Sequence, residues 1–173
     1  SHGTQEDFLR RVQMIRHAAD ERMRAIGILA DIQGPKMRMG RFAGGKLELA
    51  AGVQVRLREG AGVAPGGEVW LDFGGFLEAA APGQRVLLAD GKVELVIERV
   101  ERDALLARVR RDGELKDRHG VHFPDSAIAY ELPTPADRQN LELARQAGID
   151  MIGNSFVSRP EEVATVRALL PGA

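Results

Sequence analysis

The 173-residue chain contains no cysteine. That excludes a disulfide framework and a thiolate metal centre, and it fits a reducing compartment. Nor is there an apolar run approaching the length of a transmembrane helix, or the basic-then-apolar opening of a signal peptide. The expected location is the cytoplasm, with no membrane partner. An excess of either charge is missing too: 24 Lys and Arg stand against 25 Asp and Glu, for a net charge of −1. No global field therefore draws in nucleic acid or an anionic lipid surface. No internal repeat of fixed period is visible. What remains is enough chain to bury a core in one or two domains. It opens on Ser1 rather than Met, in mid-motif, and so reads as a piece of something longer.

Three regions differ in pattern. In the first, Thr4 and Asp7 have the spacing of a capping box, and Phe8, Val12, Ile15, Ala19 and Met23 follow at helical intervals. The pattern predicts an amphipathic helix over 5–24, then a short, fully buried strand over 25–31. In the middle, 36–124, glycines separate short alternating runs at 46–50, 53–58, 85–88, 92–100 and 104–110. Val93, Leu95 and Ile97 fall on one face, as a half-buried antiparallel strand requires. The prediction is a small antiparallel β-barrel or sandwich, with loops at Pro65-Gly66-Gly67 and Ala81-Pro82-Gly83 and a tight turn at Arg102-Asp103. The third region, 125–173, returns to α/β order. Thr134-Pro135-Ala136-Asp137 supplies an N-cap, a proline at the first helical position and an acid at the third. Leu141, Leu143, Ala144 and Ala147 make the helix face, and Gly148 ends it. A buried strand over 149–157 and a helix opened by Ser158-Arg159-Pro160-Glu161 complete the order. Two parallel strands alone do not make a sheet buried on both faces, so further chain is expected to complete it.

The most informative segment runs from Ala30 to Gly40, Ala-Asp-Ile-Gln-Gly-Pro-Lys-Met-Arg-Met-Gly. It places Asp31 at the C-terminal end of a strand, where parallel α/β folds put chemistry, and breaks the chain at Gly34-Pro35. Asp31 also reads as a solvated loop acid before a turn.

With the segments around it, this motif resembles pyruvate kinase. Ser1-His2-Gly3-Thr4 resembles a loop entering the third unit of that family's barrel. Ala89-Asp90-Gly91-Lys92-Val93-Glu94-Leu95 resembles the Asp-Asp-Gly turn of its lid domain. Gly120-Val121-His122-Phe123-Pro124 resembles the segment leading back to the barrel, and Asp137 with Gly148-Ile149-Asp150 through Asn154-Ser155-Phe156-Val157 resembles the fourth strand and its Ser-Phe-Val end. The resemblance implies part of an α/β (β/α)8 TIM barrel, with a small β-barrel lid inserted after its third strand. The activity it implies is phosphoryl transfer from phosphoenolpyruvate to ADP, giving pyruvate and ATP in glycolysis. Magnesium and potassium are the implied cofactors, and a homo-tetramer is implied for the full-length protein.

Carried over by position, Ser1, Asp31 and the carbonyl of Ile32 are implied potassium ligands, and a family asparagine would lie upstream of Ser1. Arg38, His119 and Ser155 are implied nucleotide or phosphate contacts. Asp90, the lid-turn acid that points toward the cleft when the lid closes, is the implied catalytic residue; it also reads as a plain turn residue. Several positions depart from the family pattern. Ala89 replaces the first aspartate of the turn, and His119 stands where a lysine is usual, with Arg118 as a substitute. Ser158 replaces an arginine and is expected to act as a helix N-cap, while Asn154 is expected to face the barrel cavity. The family's phosphoryl-contacting lysine and magnesium carboxylates lie on later strands, so this segment alone is expected to be inactive. The alternative is a non-catalytic binding or lid module, or a piece of a pseudoenzyme.

Overall fold

Caps, alternation and glycine turns lay out the elements. In the computed structural model, which describes residues 4–170, they run in chain order as α1 (Gln5–Glu21), β1 (Leu29–Ile32), β2 (Arg41–Phe42), β3 (Lys46–Leu49), β4 (Gln54–Glu59), β5 (Val63–Ala64), β6 (Glu68–Leu71), α2 (Phe76–Ala79), β7 (Arg85–Leu88), β8 (Val93–Val100), β9 (Leu105–Arg111), β10 (Gly113–Lys116), β11 (Val121–His122), α3 (Pro135–Gln146), β12 (Met151–Asn154) and α4 (Pro160–Leu169). They form two compact units. One draws on the chain up to Pro35 and from Tyr130 onward; the other is Lys36–Ala129.

The first unit is α/β. Thr4 and Asp7 close a reciprocal capping box at the start of α1, and Thr134 and Asp137 close another at α3. α1 stops at Glu21, short of the expected end, and Met23 takes a left-handed φ of 50° with its side chain in solvent. β1 and β12 pair in parallel, Leu29 with Met151 through Ile32 with Asn154. One sheet face is covered: Ile32 packs with Leu141 of α3 and with Val166 and Leu170 from α4 and its C-cap. The other is bare, because Leu29 is 58% and Met151 49% exposed. The expected strand buried on both faces is therefore corrected. A parallel strand is buried twice only when layers lie on both sides, and the described residues supply one. Arg16 ties the unit together by donating to the carbonyls of Ile26 (2.7 Å) and Gly148 (2.8 Å) and to the Asp150 carboxylate (2.7 Å). The Ile28 N–H and Arg16 together hold the Asp150 carboxyl below its usual range.

The second unit is built from strands. Its main sheet has the order β11-β7-β8-β9-β4-β6, and β3 pairs antiparallel with β10. β8 buries Val93, Leu95 and Ile97 on one face, as their alternation predicts. The pairing is not wholly antiparallel: β4 runs parallel to β6, and β2 to β5. This corrects the all-antiparallel expectation. The connection through β5 carries the chain back to the same side, so β6 re-enters along β4 rather than against it. The core gathers Leu57, Val69, Leu71, Phe76, Leu88, Leu95 and Leu105 among others, with Phe73, Phe76 and Phe123 in mutual ring contact. It is far larger than the helix-covered core of the first unit.

Candidate functional site

Parallel strands end together, so the C-terminal ends of β1 and β12 form one edge of the first unit. Asp31 stands there opposite Gly153, and Gln33 and Ser155 follow the paired ends Ile32 and Asn154. The Asp31 carboxylate is exposed and has no hydrogen-bond or ion-pair partner among the described residues. Ser1, the other side chain expected at a cation, lies outside the described residues. The turn beyond β1 needs glycine twice over. Gly34 has φ +64°, and a Cβ there would stand 2.6 Å from the Phe156 ring. Phe156 itself sits at φ +63° and meets Tyr130 edge-on.

Beneath that turn lies a residue whose part is not apparent from sequence. Asp137 is 1% exposed, yet it does more than cap α3. Its Oδ2 accepts from the Thr134 N–H (3.0 Å) and hydroxyl (2.8 Å), while its Oδ1 accepts from the N–H groups of Gln33 (3.0 Å) and Gly34 (3.1 Å). Four donors satisfy the buried carboxylate without a countercharge. The capping-box spacing marks Asp137 in the sequence, but nothing there marks a bond to residues a hundred positions away.

Two other expectations in this unit are corrected. Asn154, expected to face the barrel cavity, shares a cleft with Val163, Val166, Arg167 and Leu170 of the α4 side, and its Nδ2 is buried without a partner. Its register with Ile32 puts both side chains on the helix-covered face, because side chains alternate along a strand. The N-cap of α4 is Arg159 rather than Ser158. Ser158 instead donates its N–H (2.7 Å) and hydroxyl (3.2 Å) to Glu162, whose carboxyl these bonds hold below its usual range.

The remaining candidates belong to the second unit. Arg38 forms a β-bridge with Gly120, and its carbonyl accepts from the Asp72 N–H (2.7 Å). Asp90 lies in the turn joining β7 to β8, where Ala89, Asp90 and Gly91 all have positive φ. Asp and Gly suit such a turn and alanine does not. The turn does not dictate where the acid points. A Cβ on Gly120 would lie 3.3 Å from Arg38 Nη1 and 3.4 Å from Asp90 Oδ1, so both groups converge on the space that this glycine leaves open. Neither side chain makes a hydrogen bond or an ion pair among the described residues. A half-buried guanidinium without a partner among the described residues can donate two parallel bonds to a carboxylate or a phosphate.

His119 adjoins Gly120. Its Nδ1 accepts from the Lys116 N–H (3.1 Å), which assigns the ring proton to Nε2 in the neutral form. Arg118, at φ +61°, is already held by Asp72 in a charge-assisted contact. The structure thus brings Arg38, Asp90 and His119 to the surroundings of Gly120, and Asp31, Ile32 and Ser155 to one strand edge. No cluster of three or more acidic or histidine side chains able to hold a metal occurs among the described residues.

These features define an α/β protein whose two parallel strands are separated in sequence by a β-rich unit. The chain belongs to the pyruvate kinase family: the family model described as "Pyruvate kinase, barrel domain" matches residues 1–173. It is 36% identical over 170 residues to pyruvate kinase of Mycobacterium tuberculosis (strain CDC 1551 / Oshkosh), covering 98% of this chain and 36% of that protein. It is likewise 36% identical over 172 residues to pyruvate kinase of Methylorubrum extorquens, covering 99% and 36%. With pyruvate kinase of Corynebacterium efficiens the identity is 35% over 170 residues, covering 98% and 36%. The chain thus spans about a third of the length of the curated relatives it matches. No helix among the described residues is long and apolar enough to cross a membrane.

Proposed function

We propose that this chain supplies cation and nucleotide-phosphate contacts of a pyruvate kinase, which passes the phosphoryl group of phosphoenolpyruvate to ADP in the cytoplasm. The observation that carries the reading is the pair of unpartnered side chains, Arg38 and Asp90, over Gly120. In this reading Arg38 makes a forked contact with phosphate oxygens, because its planar donors match two of them at once. Asp90 is the lid-turn acid that points toward the cleft, and His119 offers its Nε2–H to the same anion. The fold proposed around these groups is part of a (β/α)8 barrel with an inserted β-barrel lid, assembling in the full-length protein as a homo-tetramer.

At the strand edge, Asp31 and the Ile32 carbonyl are hard oxygen donors, and Asp31 has no countercharge among the described residues. One carboxylate with backbone oxygens suits a monovalent alkali ion better than a transition metal. Potassium, when bound, offsets repulsion between the phosphates of two anionic substrates. Ser155 is placed in the same reading as a hydroxyl donor to phosphate. Magnesium ligands and the phosphoryl-contacting lysine are proposed to lie outside this segment, so the 173 residues alone are expected to show no turnover. Calorimetric titration of ADP tests the reading. Saturable binding, weakened about tenfold by Arg38→Met through loss of a charge-assisted contact, is expected. Binding that is absent, or unchanged in R38M, favours the non-catalytic module instead.

A further inference from the structure

The strongest unassigned feature is the bond between Asp137 and the turn after β1. We infer that Asp137 is a positioning residue that aims the Ile32 carbonyl at the proposed cation, an inference resting on the reading of Asp31 and Ile32 given above. The Ile32–Gln33 peptide is planar and trans, so its C=O and N–H point in opposite directions. The Gln33 N–H points at Asp137 Oδ1, from which the Ile32 carbonyl must point away from α3. The Gly34 N–H meets the same oxygen and fixes the Gln33 carbonyl in the same way. The dihedrals of Gln33, the residue between these two peptide planes, bring both N–H groups to one acceptor, and Gly34 at a left-handed φ then turns the chain toward Pro35.

An N-cap needs none of this. Thr134 and Asp137 already satisfy each other through Oδ2 and the Thr134 hydroxyl. Oδ1 is additional, and it leaves α3 to hold the turn that follows the Asp31 strand. The carboxylate is buried, so solvent does not compete for these bonds and the turn has one orientation. Asp137 has no contact with the cation in this account; it acts through the backbone, as groups behind metal ligands commonly do.

The test uses the 173-residue chain, labelled for amide exchange and titrated with thallium(I) as a spectroscopic potassium substitute, then with potassium itself. Asp137→Ala is expected to expose the Gln33 and Gly34 amides to rapid exchange and to weaken cation affinity about tenfold, and Asp137→Asn to do both to a lesser degree. Ala144→Gly, which weakens α3 without removing a hydrogen bond to the turn, is expected to leave cation affinity unchanged. If D137A fails to fold, D137N and A144G at similar stability decide the matter. Exposed amides with unchanged cation affinity overturn the inference and leave the Asp31 site standing. Equal losses in A144G and D137N reduce Asp137 to a structural cap. If the wild-type chain binds neither ion, the Asp31 site falls and the inference falls with it.

Discussion

At the scale of single residues, the chain is organised by places where a side chain is absent. Gly120 opens the space into which Arg38 and Asp90 both reach, and Gly34 lets the Phe156 ring lie on the turn behind Asp31. Both glycines stand inside motifs visible in the sequence, but the sequence gives no sign of which atoms fill the gap. A methyl group at Gly34 meets both a positive φ and a ring carbon at 2.6 Å, so neither relaxation alone relieves it. Gly34→Ala is therefore expected to cost about 2 kcal/mol, read from urea unfolding followed by helical circular dichroism. An unchanged midpoint would show that Phe156 swings away freely. Asp137 teaches the complementary lesson. Its capping role follows from three-residue spacing, a local signal, whereas its bonds to Gln33 and Gly34 depend on how β1 and α3 pack.

At the scale of elements, periodicity was legible wherever one face is buried and the other wet. β8 and β9 alternate cleanly and match the runs read from sequence, as do the starts of α1 and α3. The short strands β2, β5, β6, β10 and β11 are not legible, because two to four residues among glycines carry too little alternation to be recognised. The end of β12 misled for a different reason. Asn154 breaks an apolar run, and register rather than residue type decides which face it takes. The segment after β11 is pinned to β7 by a clamp: Asp125 accepts from the Arg85 backbone N–H (3.0 Å) and from Nε (2.9 Å) and Nη2 (2.8 Å) of its guanidinium. These bonds lower the Asp125 carboxyl from 3.8 to about 2. The folded value lies below the unfolded one, so the clamp stabilises fully above about pH 4 and fades as pH falls toward 2. Titration of the Asp125 carboxyl by NMR should give a midpoint near 2 that returns toward 3.8 in Arg85→Gln. A wild-type midpoint at the ordinary value would contradict the clamp.

At the scale of the whole molecule, the two units have unequal means of staying folded. The first rests on a four-residue buried cluster around Ile32 and Leu141, with Leu29 and Met151 left in water. At roughly 1.5–3 kcal/mol per buried side chain, that is a thin core against the entropy of ordering three helices. The second unit buries Phe76, Leu57, Leu95 and many more. Helical circular dichroism reports mainly on the first unit, and the fluorescence of the single tryptophan, Trp70, on the second. The helical signal is expected to disappear at lower urea than the tryptophan signal. Coincident transitions would show that the units unfold as one. The bare sheet face agrees with a chain spanning about a third of its relatives, and it was foreseeable from sequence because two parallel strands cannot cover themselves.

The central claim is that this chain carries phosphate contacts of a pyruvate kinase around Gly120, and it is tested most directly by mapping ADP onto the labelled chain by NMR. The account predicts saturable shifts at Arg38, Asp90, His119 and Gly120 whose midpoint moves to about tenfold higher ADP in Arg38→Met while the Trp70 environment stays unchanged. Shifts confined to other residues, or none at saturating ADP with the fold intact, would contradict it.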